Sequence, residues 1–117
     1  MLIEQLQNIV ENEYLDIVET AIIRDENELR ILLYDSSFID VWFSLTRKNK
    51  YSYHWERKNI DGSIYRHDNA PHSKWKNITT FPKHYHEMTE DNVKESYISD
   101  NPKIAIKEFL DFVREVI

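Results

Sequence analysis

All five histidines of this 117-residue chain, His54, His67, His72, His84 and His86, fall in one third of its length. Imidazole titrates near pH 6.5, so two histidines in one site can divide the taking and the giving of a proton. They stand in three short runs: Tyr53-His54-Trp55, Arg66-His67-Asp68-Asn69-Ala70-Pro71-His72 and Phe81-Pro82-Lys83-His84-Tyr85-His86. On an extended segment His84-x-His86 points both rings to one side. With His72 in a third position and a fourth left open, that is also a ligand pattern for a catalytic divalent metal. The spacing permits a metal without being diagnostic of one, and no cysteine or dense carboxylate set accompanies it, so no cofactor is the favoured reading. In that reading His72 with His84 or His86 supplies acid and base for cutting an RNA phosphodiester. One ring takes the proton of a 2′-hydroxyl and the other protonates the leaving oxygen. Arg66 or Lys83 would neutralise charge on the phosphorane, and Asp68 would hold His54 in one tautomer.

Charge is concentrated in the same place. Between Arg47 and His86 nine lysines and arginines meet three acids, a local balance of +6 in a chain of net −6, which leaves −12 for the rest. Binding follows the distribution of charge and not its sum, so overall acidity does not exclude RNA or an acidic partner. Lys74, Lys76 and Lys83 are candidate phosphate contacts, with solvated surface as the plainer alternative. Trp75, flanked by Lys74 and Lys76, is placed to stack on an unpaired base or, as the slightly favoured alternative, to fold back and anchor its loop. Asn69 is either a substrate contact or, with Asp68, an Asx residue pinning the turn before Ala70-Pro71.

Tyr53-His54-Trp55, Arg66-x-Asp68-Asn69-Ala70-Pro71-His72 and Phe81-Pro82-x-His84-x-His86 together resemble the signature of the TumE family. Its members are small proteins labelled as toxin components of bacterial and archaeal toxin–antitoxin pairs. The resemblance is strongest over residues 50–86 and extends to the flanks as general architecture. It implies a toxin role and a helix-turn-helix antitoxin as partner. Family members commonly carry further histidines where this chain has Ser73 and Lys83, so neither position can be an essential ligand here.

These residues must be positioned by the rest of the chain. Leu2, Ile3, Leu6, Ile9 and Val10 mark one stripe of a helix ending near Asn12. Tyr14–Arg24, Glu28–Tyr34 and Ile39–Leu45 read as strands, the last two alternating, separated by polar turns. Lys50–Lys58 and Ser63–Asp68 flank the only glycine, Gly62. A two-residue turn at Asp61-Gly62 would oppose Arg57 to Arg66. A three-residue loop, Ile60-Asp61-Gly62, instead opposes Glu56 to Arg66 and His54 to Asp68, and it is the expected register. Ser52, His54, Glu56, Arg66 and Asp68 then share one face, and Tyr51, Tyr53, Trp55, Tyr65 and His67 the other. Residues 69–80 form a long loop containing Pro71, Phe81–Met88 is at most a short extended piece, and Val93–Ile98 is unassigned. Asp100 or Asn101 caps a final helix that starts at Pro102 and carries Ile106, Phe109, Leu110, Val113 and Ile117 on one side. The expected fold is a single two-layer α+β domain over residues 1–117, a five-stranded antiparallel meander with both helices on one face. Absence of cysteine excludes disulfides and thiol chemistry. No apolar run reaches membrane-span length and the start lacks a signal-peptide pattern, so a cytoplasmic protein is expected.

Overall fold

The computed structural model describes residues 1–117. Helix α1, Leu2–Glu13, buries Ile3, Leu6 and Val10 of the expected stripe, with Leu2 and Ile9 partly buried against the same core. Tyr14 does not begin a strand. The amides of Ile17 and Val18 both donate to its carbonyl, and its hydroxyl donates to Asp111 Oδ1 at 2.9 Å. A turn therefore separates α1 from the sheet and ties it to the C-terminal helix.

The sheet has seven strands, not the five expected: β1 Val18–Asp25, β2 Glu28–Leu33, β3 Phe38–Phe43, β4 Tyr51–Arg57, β5 Ser63–Asp68, β6 His84–Met88 and β7 Val93–Glu95. They lie in chain order and every pair is antiparallel. The two additional strands are five and three residues long, too short to carry a period of their own. Pairing with β5 is what makes β6 a strand, and β6 in turn orders β7. Strand β3 stops at Phe43, short of Leu45, because the Ser44 hydroxyl accepts the amides of Thr46 and Arg47 and turns the chain. The loop after β5 contains one 3-10 turn, Ser73–Trp75.

The β4–β5 register also differs from expectation. Arg57 opposes Ser63, His54 opposes Arg66 and Ser52 opposes Asp68, so five residues, 58–62, make the connection. Two local features favour the wider loop. The amides of Ile60 and Asp61 both donate to the Arg57 carbonyl, and Asp61 Oδ1 accepts the Ser63 amide at 3.0 Å. Gly62, at φ 79°, supplies the left-handed step that returns the chain. The slip is by two residues, so each side chain keeps its expected face.

Helix α2, Pro102–Val116, buries Ala105, Ile106, Phe109, Leu110 and Val113. Its residues join those of α1 in one core with Leu29, Ile31, Leu33, Ile39, Val41, Tyr53 and Trp55, which puts both helices on the same side of the sheet. Asn101 caps α2, its side-chain oxygen accepting the Lys103 amide at 3.0 Å. Asn101→Ala is expected to lower stability by about 1 kcal/mol, read as a shift of the urea midpoint at unchanged slope.

One polar chain crosses the core's edge. The Trp55 indole donates to Ser37 Oγ at 2.9 Å, Ser37 donates to Asp35 Oδ1, and Arg57 Nη1 reaches Asp35 Oδ2 at 2.6 Å. Burial, the largest single influence on Asp35, raises its pKa, but bonds from the Ser37 hydroxyl and amide and from Arg57 outweigh it and hold it below the usual carboxylate value. A depressed carboxylate adds stability above the unfolded value of about 3.8 and loses it as pH falls through the folded one. Asp35→Ala is therefore expected to cost about 2 kcal/mol at pH 7. In acid melts the gap to the wild type should close below about pH 4.

Candidate active site

Strand alternation sets the site. Tyr51, Tyr53, Trp55 and Tyr65 face the helices and are buried in the core. Their neighbours therefore face the opposite side. Across β4, β5 and β6 the register places Ser52, Asp68 and His84 in one row, and His54, Arg66 and His86 in the next. Four of these six side chains gather around one carboxylate: Arg66, Asp68, His84 and His86.

Asp68 is its hub. Its Oδ1 accepts the Ala70 amide at 3.0 Å and lies 3.0 Å from His84 Nε2. Its Oδ2 accepts Arg66 Nε at 3.0 Å and faces His86 Nε2 across 3.8 Å. Each histidine uses its other nitrogen on the backbone, His84 Nδ1 on the Pro82 carbonyl at 3.0 Å and His86 Nδ1 on the Glu90 carbonyl at 2.8 Å. Those carbonyls can only accept, so both Nδ1 atoms carry hydrogen and both Nε2 atoms turn toward Asp68. Arg66 is clamped from the far side by Glu90, with bonds of 2.8 and 2.6 Å.

The loop after β5 closes over this cluster. The Trp75 ring stands 6.2 Å from His84 and 6.0 Å from His86, and 5.9 Å from His72 on its other flank. Under this cover His84 is 2% and His86 4% exposed, so water competes little for their bonds. What remains open is a cleft of about 350 Å³ bounded by Arg66, Asp68, His72, Trp75, His84, His86 and Glu90.

The enclosed geometry separates the two imidazoles electrically. Burial is the largest influence on each and lowers both. At His84 the Asp68 carboxylate and the Pro82 carbonyl more than reverse it, so its pKa lies above the ordinary 6.5. At His86 burial prevails, helped by Arg66 and His84, and its pKa lies below 6.5. Asp68, which burial alone would raise, is brought down to about 2 by the bonds from His84, Ala70 and Arg66. The two shifts run in opposite directions, favouring the charged imidazole at His84 beside Asp68 and the neutral one at His86.

Over residues 2–117 the chain matches the family model described as toxin TumE. It belongs to the TumE toxin family. No curated protein and no solved structure matches it. Membership gives this TumE-family chain an antitoxin as its partner. No helix in it is long and apolar enough to cross a membrane.

Within this family member the structure sorts the residues singled out by sequence. Arg66, Asp68, His84 and His86 converge, and His72, Lys74 and Trp75 complete the rim of the same cleft. His72 is exposed, and its Nδ1 accepts the Lys74 amide at 3.1 Å. Lys74 lies over the Trp75 ring, its Nζ 5.2 Å from the centroid. Lys76 is exposed beyond them. Asp68 does not hold His54, because the two-residue change of register puts Arg66 opposite that histidine. His54 Nε2 instead meets Glu56 at 2.9 Å, and its Nδ1 lies 3.3 Å from Arg66 Nη1.

Asn69 and Lys83 leave the site altogether. The Asn69 side chain accepts the Tyr51 amide at 3.0 Å and donates to the Asn49 carbonyl at 2.5 Å, joining β4 to β5. Lys83 donates to the Ile98 carbonyl and pairs with Asp100 at 3.2 Å. Each stands next to a cluster member, Asp68 or His84, on extended backbone, and consecutive side chains there point to opposite faces. His67, likewise on the helix side, stacks on Tyr85 at 4.4 Å and bonds Ser96 Oγ at 2.7 Å. His72 does not join His84 and His86 as the alternative metal reading required; the ligand-type atoms that gather within 4.8 Å belong to Asp68, His84 and His86.

Glu90 is the member sequence reasoning missed. It sits in the acidic turn between β6 and β7, outside the basic segment. Only recognition of the β6–β7 hairpin would have placed it beside His86.

Proposed function

We propose that this TumE-family toxin acts on RNA, cutting phosphodiester bonds by metal-independent acid–base catalysis in the cleft between Trp75 and the Arg66–Asp68–His84–His86 cluster. One observation carries the reading. Both Asp68 oxygens are already engaged by nitrogen donors, Ala70 and His84 on one and Arg66 on the other. The unprotonated nitrogen left in the cluster is His86 Nε2.

That lone pair is the base. It takes the proton of the 2′-hydroxyl, O2′ bonds to phosphorus, and the P–O5′ bond breaks. His72 gives the departing O5′ its proton. In the resting structure its Nδ1 accepts the Lys74 amide, so the acid form requires that contact to open and Nδ1 to take up a proton; the imidazolium then gives up its Nε2 proton and returns to neutral. The products are a 2′,3′-cyclic phosphate and a 5′-hydroxyl, and the two histidines end with exchanged protonation. Charge gathering on the equatorial oxygens is met by Arg66 and the His84 imidazolium, both held in place before substrate arrives. Trp75 is positioned to stack on an unpaired base, with Lys74 beside it for phosphate.

The test is a broad RNA set incubated with purified protein in EDTA, with end groups analysed. Cyclic phosphate and 5′-hydroxyl termini are expected from the wild type and not from His72→Ala. Intact RNA throughout would leave a non-enzymatic module whose basic rim docks RNA or an acidic partner protein.

A further inference from the structure

The cluster has the arrangement of a transition-metal site as well as that of an acid–base pair. Two imidazole nitrogens and a carboxylate lie within 4.8 Å of one another. His84 Nε2 lies 3.0 Å from Asp68 Oδ1 and His86 Nε2 3.8 Å from Asp68 Oδ2. Tetrahedral zinc with bonds of about 2.0–2.1 Å needs ligand atoms roughly 3.3 Å apart. Shifts of an ångström or so would meet that requirement. The surroundings are those of a prepared ligand set. Both Nδ1–H groups are fixed on backbone carbonyls, of Pro82 and Glu90, which aims both Nε2 atoms at one point. Asp68 is oriented by Ala70 and Arg66. His86, 4% exposed, has an Nε2 with no bonded partner, its closest approach being 3.8 Å.

We propose that Asp68, His84 and His86 form a binding site for a divalent transition metal of the zinc type, and that its occupation switches off acid–base cleavage in the same cleft. The second half rests on the proposed function. A metal on His86 Nε2 uses the lone pair that would accept the 2′-hydroxyl proton, so metal and base action exclude each other. Binding also displaces the Nε2 proton that His84 shares with Asp68, which leaves to solvent. Two neutral nitrogens and one carboxylate favour zinc, cobalt or nickel over magnesium or calcium, which take oxygen ligands. Three protein ligands leave a fourth position open toward the cleft.

The site can be tested without any RNA. EDTA-stripped full-length protein is titrated with zinc sulfate by calorimetry, and with cobalt(II), whose visible bands report four-coordinate geometry. One equivalent is expected to bind. His86→Gln should weaken binding by about a hundredfold or more, since loss of an outer-shell partner alone costs tenfold to a hundredfold. His54→Gln, outside the ligand set, should bind as wild type does. Absence of saturable binding overturns the site, as does equal loss in the two variants. Because removing Asp68 also destabilises the fold, the cobalt spectrum of the wild type is the independent readout of coordination.

Cleavage is then measured on the RNA set in EDTA and with one equivalent of zinc. Inhibition reversed by EDTA supports the switch. Stimulation by zinc overturns both the switch and the metal-independent mechanism, with the site itself intact. If no RNA is cut under either condition, the proposed function and the switch fall together, and the site stands or falls on the titrations.

Discussion

His86→Ala is expected to reduce RNA cleavage measured in EDTA by about 10²–10⁴-fold, the usual contribution of a positioned general base. The loss should fall on kcat with KM little changed, because the proposed substrate contacts at Trp75, Lys74 and Arg66 are retained. Folding should survive. His86 is neutral and its main bond is to one backbone carbonyl, Glu90 O at 2.8 Å, so truncation removes packing and one hydrogen bond but strands no charge. A native far-UV spectrum with a urea midpoint lowered by only about 1–2 kcal/mol is the control. Undiminished cleavage by a folded His86→Ala protein would remove the base from the mechanism.

Asp68→Ala should behave in the opposite way, and stability is the sensitive readout. The carboxylate is the shared partner of Arg66 at 3.0 Å and of His84 at 3.0 Å. His84 is almost fully enclosed. Removing one member of a buried charge set leaves the others desolvated and unmatched, at a cost of about 3–5 kcal/mol. Glu90 still clamps Arg66 from the far side, so the burden falls mainly on His84. Without Asp68 the burial of His84 is no longer opposed, so its imidazole pKa, followed by NMR titration, should fall from its raised wild-type position. Asp68→Asn keeps the volume and one acceptor oxygen, so it should lie between the alanine variant and wild type in urea melts. A wild-type midpoint for Asp68→Ala would show that the cluster is solvated and not held by this carboxylate.

The contrast between these two residues also marks where local pattern stops being informative. Both belong to runs that stand out in the sequence. Asp68 precedes Asn69 and Ala70, and its role as a turn-pinning residue was legible there: Oδ1 does accept the Ala70 amide. Its second role, as partner of His84 and Arg66, depends on β6 lying alongside β5. That pairing spans the loop of residues 69–83, and no local period records it. The His54–Asp68 contact failed for a related reason. Alternation determines which face a side chain takes, but register depends on the connecting loop, and bonds from the Ser63 amide to Asp61 and from the Ile60 and Asp61 amides to Arg57 selected a wider one. Glu90 illustrates the far end of the same difficulty, since its turn exists only because a three-residue strand pairs with β6.

By itself the amino-acid sequence determined the facing of the strands, the apolar stripes of both helices, a cap at Asp100 or Asn101 and the concentration of imidazole and positive charge between Arg47 and His86. These follow from periods of two and 3.6 residues and from residue chemistry, which act over a few positions of chain. Only the tertiary structure decided which histidines meet. Asp68, His84 and His86 converge, His72 stays at the rim, His54 pairs with Glu56, and Asn69 and Lys83 turn to the other side of the sheet. Cross-strand register and the fold of one long loop make that selection, and both are set by hydrogen bonds between residues distant in sequence.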